Sequence, residues 1–175
     1  GIRKVSSADA ASSTSESETP GADDTALALR LFVALTLGQA VREGIASALA
    51  KLRAEHEVAS KGVKWVDPSL IHVTLKFLGA VEQDRLDELR SALPPVAAAC
   101  RPFPLLLAEG GVFWYKKKRR IPRVFYVGVE ENAQGREQFR ELAKAIEGTC
   151  REIGFPKEKK AATPHATVGR VRQRS

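Results

Sequence analysis

The chain has 175 residues, of which 43% are hydrophobic and 28% charged, a balance typical of a globular protein of one domain or two small lobes. It contains no apolar run of the roughly 20 residues that a membrane-spanning helix needs and no secretory signal pattern, so we expect a cytoplasmic protein that does not bind membranes. Its two cysteines form neither a zinc-binding pair nor a disulfide framework, so no metal or cofactor is expected.

The net charge of +7 is distributed unevenly between two segments. Residues 1–26 are rich in Ser, Ala and acidic residues, and we predict a disordered tail because this composition cannot bury enough apolar surface to offset the entropy of ordering. Residues 27–175 carry the positive charge and are predicted to form the folded domain. A basic domain of this kind favours a polyanionic partner.

The predicted elements alternate between strands and amphipathic helices along the chain. LALRLFVALTL is typical of a buried strand, and a helix is predicted from Gln39 to about His56. IHVTLKFLG is predicted as a strand that stops at Gly79, and the helix over VEQDRLDELRSAL is predicted to end at Pro94 and Pro95.

The second half repeats this order. FPLLLAE and RVFYVGVE are predicted as strands on either side of GGVFWYKKKRRIP, and they precede a helix from about Ala133 to Ile153. A basic loop, FPKEKKAATP, leads into a last short strand, HATVGRV. This order indicates an α+β fold with two similar halves, each of which contains one His-x-Thr strand.

Strand alternation gives both His-x-Thr tripeptides a polar face. Side chains two residues apart point to the same side of a strand, so His72 shares a face with Thr74, and His165 shares one with Thr167. Strict alternation also places Lys76 on the first polar face. Either tripeptide alone is also compatible with a purely structural histidine, which is the commoner case.

Two imidazoles on facing strands suit displacement at a cyclic phosphate. One can take a proton from the attacking water while the other donates a proton to the departing ribose oxygen, because imidazole titrates near neutral pH. Threonine hydroxyls and nearby cations would bind the non-bridging oxygens. This chemistry requires no metal ion.

Four segments carry a resemblance to a known family: RLFVAL, WVDPSLIHVTLKFLG, EGGVFWYKKKRRIPRVFYVGV and TPHATVGRV. In this order they resemble the bacterial and archaeal RNA 2',3'-cyclic phosphodiesterases, once named 2'-5' RNA ligases, of the two-histidine phosphoesterase superfamily. The resemblance implies a bilobal α+β fold in which two pseudo-symmetric antiparallel sheets, flanked by helices, enclose an active-site cleft. It further implies that the chain hydrolyses terminal RNA 2',3'-cyclic phosphate to 2'-phosphate, with 2'-5' RNA ligation as a secondary activity. We expect a monomer, because nothing in the sequence demands a larger assembly.

The resemblance also implies roles for individual residues. By position, His72 corresponds to the general acid and His165 to the general base, while Thr74 and Thr167 correspond to phosphate-binding residues. Arg170 matches a substrate-binding position, although strict alternation from His165 would place it on the wrong face. A bend near Gly169 would remove this conflict.

Two further features and two alternative functions stay open. The run KKKRR at 116–120, with Phe113, Trp114 and Tyr115 before it, is interpreted either as an RNA contact or as a solvated hairpin tip. Trp65 and Phe77 are expected in the core. The alternatives are a non-catalytic RNA-binding or nucleotide-binding module, and a phosphodiesterase that acts on small cyclic nucleotides or 2'-5' oligonucleotides.

Overall fold

A computed structural model describes residues 2–5, 28–116, 121–130 and 134–172. The strands in this part of the chain are β1 (Ile2–Val5), β2 (Leu29–Thr36), β3 (Val63–Trp65), β4 (His72–Val81), β5 (Leu107–Lys116), β6 (Ile121–Val129) and β7 (His165–Val171). The helices are α1 (Gln39–Glu55), α2 (Glu57–Ser60), α3 (Leu86–Ala99) and α4 (Gln134–Glu152).

The strands form an antiparallel sheet in the order β1-β2-β4-β7-β6-β5, and β3 pairs with β7. β4 and β7 meet at one register pair, Val73 opposite Ala166, and separate on either side of it. The α+β prediction is confirmed. The two predicted sheets are two halves of one sheet, joined where the two His-x-Thr strands touch.

The helices cover one face of this sheet. α3 packs against α4, and α4 packs against β4. Their apolar faces bury Leu89, Phe139 and Cys150, none of which has measurable exposure. This packing fixes β4 and β7 from behind, so the opposite face of the two strands is left for polar side chains.

Two boundaries differ from the predictions because packing overrides local sequence signals. α3 continues through Pro94 and Pro95, although each proline removes one backbone N–H donor. The buried Leu93 before the prolines and the half-buried Val96 after them pack on the core and offset that loss. Likewise β4 does not stop at Gly79, which adopts a positive φ of 77° within the strand.

The remaining differences concern strands at the two edges of the sheet. All of GGVFWYK lies in β5 rather than in a loop, and residues 117–120 lie outside the described part of the chain. Residues Ile2–Val5 form β1, which pairs with β2, so the predicted disordered tail does not hold for these four residues. No helix of the described residues is long and apolar enough to cross a membrane.

Candidate active site

Four polar side chains surround the single pair that joins β4 to β7. Val73 and Ala166 are fully buried on the helix-covered face. Because side chains alternate along a strand, the residues flanking this pair point to the opposite face, and all four are half-buried there: His72, Thr74, His165 and Thr167. β4 and β7 touch at the Val73–Ala166 pair, so the four flanking side chains are grouped around the one point where the two strands meet. The structure therefore brings both predicted His-x-Thr pairs together.

Both histidines are held in the same way. His72 Nδ1 lies 2.7 Å from the carbonyl oxygen of Leu70, and His165 Nδ1 lies 2.8 Å from that of Thr163. A carbonyl oxygen only accepts hydrogen bonds, so each Nδ1 must carry the proton and donate it. Each ring therefore leaves Nε2 available, as a proton acceptor when neutral and as a donor when charged.

Aromatic rings support the two imidazoles from different directions. Phe32 stacks on His72, with the ring centroids 4.6 Å apart. Phe113 and Tyr126 stack on each other at 4.2 Å, and both meet His165 edge-on, at 5.0 and 5.6 Å. These contacts restrict rotation of the imidazoles.

Gly111 makes room for this support on the His165 side. A methyl group on Gly111 would lie 2.5 Å from Cζ of Tyr126, so only glycine lets that ring lie across β5. Gly111 belongs to the Gly-Gly-x-Phe segment, for which the sequence alone predicts a loop. The sequence therefore carried a signal for this aromatic support, but its function became visible only from the pairing of β5 with β6.

A capped turn fixes the carbonyl that holds His72. The Asp67 carboxylate accepts hydrogen bonds from the Ser69 hydroxyl at 2.6 Å and from the Ser69 backbone N–H at 2.8 Å. These bonds lower the pKa of Asp67 below its usual range. They stabilise the 3-10 turn Pro68–Leu70, so Asp67 helps to position His72 without touching it.

The two His-x-Thr strands share a bulge at the same offset from the histidine. On β4, Thr74 pairs with Ala34 and Lys76 with Val33, so Leu75 is an extra residue. On β7, Thr167 pairs with Tyr126 and Gly169 with Phe125, so Val168 is an extra residue. Beyond the threonine, each bulge therefore reverses which side chains of the strand point to which face of the sheet.

The bulge on β4 moves Lys76 away from the site, so its predicted role in substrate binding is wrong. Leu75 and Lys76 both point into the helix-covered face, where Lys76 is 1% exposed. Its Nζ donates to Glu147 Oε2 of α4 at 2.7 Å and to the carbonyl oxygen of Pro156 at 3.1 Å. Lys76 is a buried structural cation.

The bulge on β7 has the opposite consequence for Arg170. Val168 and Gly169 are both buried, and Gly169 packs against Trp65 on the core side. Arg170 is exposed and directly follows this buried pair, which returns its side chain to the face of His165 and Thr167. The bend that the sequence required near Gly169 is present.

Phe77 occupies the same position relative to His72 as Arg170 does relative to His165. The prediction that Phe77 lies in the core is wrong. It is 58% exposed and lies on the His72 face, with its ring 6.4 Å from that of Phe32. Trp65, by contrast, is half-buried and packs on the core. Of the other predicted RNA contacts, Phe113 lies beside His165, Trp114 and Tyr115 are exposed, and residues 117–120 are outside the described residues.

The described residues contain no group of three or more His, Cys, Asp or Glu side chains that could hold a metal ion. The two histidines are instead bound through Nδ1 to backbone carbonyls. Metal independence stays a prediction.

Comparisons with known proteins show which family this chain resembles. The sequence model of the LigT-like phosphoesterases matches residues 40–126. An RNA 2',3'-cyclic phosphodiesterase of Archaeoglobus fulgidus is 31% identical over 147 residues, which cover 84% of this chain and 75% of that protein. A protein of the same name from Geobacillus stearothermophilus is 37% identical over 106 residues, or 61% of this chain, but the chain spans only 32% of its length.

A solved structure shares the fold of this chain. The crystal structure of TT0787 of Thermus thermophilus has a TM-score of 0.64 and 26% sequence identity, and the match covers 83% of this chain and 76% of that one. Sequence and fold thus agree over most of the chain. The chain belongs to the LigT-like phosphoesterase family.

Proposed function

We propose that this phosphoesterase hydrolyses terminal 2',3'-cyclic phosphates of RNA to 2'-phosphates, with two histidines as the proton-transfer groups and without a metal ion. The observation that carries the proposal is the symmetric fixing of His72 and His165 through Nδ1, which leaves both Nε2 atoms on one face. Family membership supports the substrate class, because relatives from several organisms are named RNA 2',3'-cyclic phosphodiesterases.

The reaction is an in-line displacement at phosphorus. Neutral His165 takes a proton from water through Nε2 while the water oxygen forms a bond to phosphorus. The bond between phosphorus and the 3' oxygen breaks, and protonated His72 gives its Nε2 proton to that oxygen. The product carries a 2'-phosphate and a 3'-hydroxyl, and proton exchange with solvent restores the two histidines.

Three further side chains bind the phosphate in this proposal. Thr74 and Thr167 lie in the same cluster as the histidines and offer hydroxyl donors to the non-bridging oxygens. Arg170 adds a guanidinium from the same face of β7, which can bind two oxygens at once. These groups offset the charge that develops as the ring opens.

A 5'-hydroxyl end of RNA in place of water would give a 2'-5' linkage by the same steps. Ligation is therefore a second activity of the same site in this proposal. It requires that a second RNA end reaches His165, so it should be slower than hydrolysis wherever water competes.

The test uses an RNA oligonucleotide with a 2',3'-cyclic phosphate end in the presence of EDTA. We expect ring opening to a 2'-phosphate by the wild-type protein and its loss in His72→Ala and His165→Ala. His56→Ala is the matched control, because this third histidine is exposed at the end of α1. Undiminished turnover in either active-site variant, or a strict need for added metal, contradicts the proposed mechanism.

Product identification shows which ribose oxygen leaves and therefore receives the proton from the acid. A 2'-phosphate requires departure of the 3' oxygen, whereas a 3'-phosphate requires departure of the 2' oxygen. RNA binding without any product would indicate the non-catalytic module, and faster turnover of small cyclic nucleotides or 2'-5' oligonucleotides would indicate the other alternative. Action as a cytoplasmic monomer is part of the proposal, tested by cell fractionation and gel filtration.

A further inference from the structure

The segment before the second motif strand is attached to the first one. Lys76 Nζ donates to the carbonyl oxygen of Pro156 at 3.1 Å and to the carboxylate of Glu147 at 2.7 Å. Glu147 in turn accepts from the backbone N–H of Glu158 at 3.3 Å. The Glu158 carboxylate accepts from the backbone N–H of Phe77, also at 3.3 Å. Residues 156–158 therefore run along the edge of β4 beyond the point where β4 and β7 separate.

This attachment brings the backbone of residues 157–160, with three lysines, to the part of β4 that carries an exposed aromatic ring. Lys157, Lys159 and Lys160 are exposed, and Phe77 is 58% exposed on the His72 face of β4. The one acidic residue among 157–160 is Glu158, which is half-buried and bonded to the Phe77 backbone, so the segment keeps a net charge of +2. We name Phe77, Lys157, Lys159 and Lys160 the Phe77–lysine surface.

The Phe77–lysine surface adjoins the active site on the His72 side. The ring of Phe77 lies 6.4 Å from that of Phe32, and Phe32 stacks on His72 at 4.6 Å. A strand of RNA whose cyclic end lies between the two histidines can thus reach the exposed ring of Phe77, one ring beyond the buried Phe32, on the same face of β4.

We infer that the Phe77–lysine surface binds the single-stranded RNA on the 5' side of the terminal nucleotide, with the base of the nucleotide before the terminal one stacked on Phe77 and the backbone phosphates beside the lysines. This inference rests on the proposed function and specifies how its substrate is bound. An exposed aromatic ring next to a group of cations is the combination that sequence-independent binders of single strands use. A paired duplex would keep its bases stacked inside and could not cover Phe77.

The experiment compares two substrates and three variants. The substrates are a mononucleotide 2',3'-cyclic phosphate and a short single-stranded RNA with the same cyclic end. The variants are Phe77→Leu, the double variant Lys159→Ala/Lys160→Ala, and the control Lys51→Ala/Lys144→Ala, which removes two exposed lysines from α1 and α4. The readout is the ratio of the KM for RNA to the KM for the mononucleotide.

We expect this ratio to rise in both Phe77–lysine variants and to stay at the wild-type value in the control. Loss of base stacking in Phe77→Leu should raise it about fivefold or more. Loss of two cations should lower the slope of log affinity against log salt by roughly 1.4 for a single strand. A ratio unchanged in both surface variants, or an equal rise in the control, overturns the inference.

A binding measurement separates failure of this inference from failure of the proposed function. Fluorescence anisotropy of a single-stranded RNA with an ordinary 3'-hydroxyl end requires no turnover. Weaker binding by the two surface variants than by the control supports the surface even if no cyclic phosphate is opened. Equal binding by all variants contradicts it even if the enzyme is active.

Discussion

Replacement of Lys76 by methionine distinguishes a structural lysine from a substrate-binding one. Methionine keeps most of the apolar stem but removes the ammonium group, and this leaves the Glu147 carboxylate and the Pro156 carbonyl without their shared donor. Breaking a buried ion pair from one side typically costs about 3–5 kcal/mol of unfolding free energy. Because Glu147 remains 21% exposed and also accepts from Glu158, we expect a smaller loss of about 2–3 kcal/mol.

Urea denaturation measures this loss. With m values of about 1–3 kcal/mol per M for small proteins, the midpoint should fall by roughly 0.7–3 M. Arg90→Met is the matched control, because Arg90 pairs with Asp87 at the surface, where the two side chains are 67% and 86% exposed. Its effect should stay within about 0.5 kcal/mol.

The double variant Lys76→Met/Glu147→Leu completes the test. The two changes should not be additive, because removal of the second partner also removes the unpaired carboxylate that makes the single variant unstable. The reasoning is refuted if Lys76→Met loses less than about 0.5 kcal/mol of stability while kcat/KM falls strongly. That result would indicate that Lys76 binds the phosphate of the substrate.

Three other predictions concern residues around the site. Thr74→Val and Thr167→Val should each lower kcat/KM about tenfold to a thousandfold with little change in unfolding free energy, as steady-state kinetics and urea titration will show. Because hydrogen bonds lower the folded-state pKa of Asp67, its contribution to stability exists above its unfolded pKa and disappears as pH falls through the lowered value. Asp67→Asn should therefore reduce the urea midpoint at neutral pH but not at strongly acidic pH. Burial raises the pKa of Cys150, so a thiol reagent should modify the half-exposed Cys100 first and Cys150 only after unfolding, and equal rates in the native protein would contradict the packing.

The sequence predicted the two polar faces of the His-x-Thr strands because strand alternation is a local rule. His72 and Thr74 lie two residues apart before the bulge, so nothing interrupts their parity, and the same is true of His165 and Thr167. The rule fails at Lys76, one position beyond the bulge. An extra residue in one strand depends on the partner strand, and its position is not encoded in the hydrophobic pattern of β4.

A glycine explains why the departure from strand alternation could be anticipated on β7 but not on β4. On β7, Gly169 tolerates a bend and directly precedes Arg170, whose expected role in substrate binding conflicts with strict alternation. A bulge could therefore be anticipated there. At Lys76 the bulge places a long cation in the core, and its stability depends on Glu147, which is 71 positions away in the sequence. Pro94 and Pro95 show the same limit, since the packing of α3 on α4 overrides a strong local stop signal.

The two equivalent bulges also place chemically different residues on the two sides of a nearly symmetric site, which indicates how the substrate is oriented. On β7 the residue returned to the face of the histidines is Arg170, whose register partner on β3 is Lys64, whereas on β4 it is Phe77. The phosphate anion should therefore lie toward Arg170, and the RNA chain that leads up to the terminal nucleoside toward Phe77. His72, on the Phe77 side, is then the histidine nearer the ribose oxygen that leaves. In an in-line displacement water enters opposite that oxygen, on the side of His165, so the contrast between Phe77 and Arg170 favours His72 as the acid and His165 as the base.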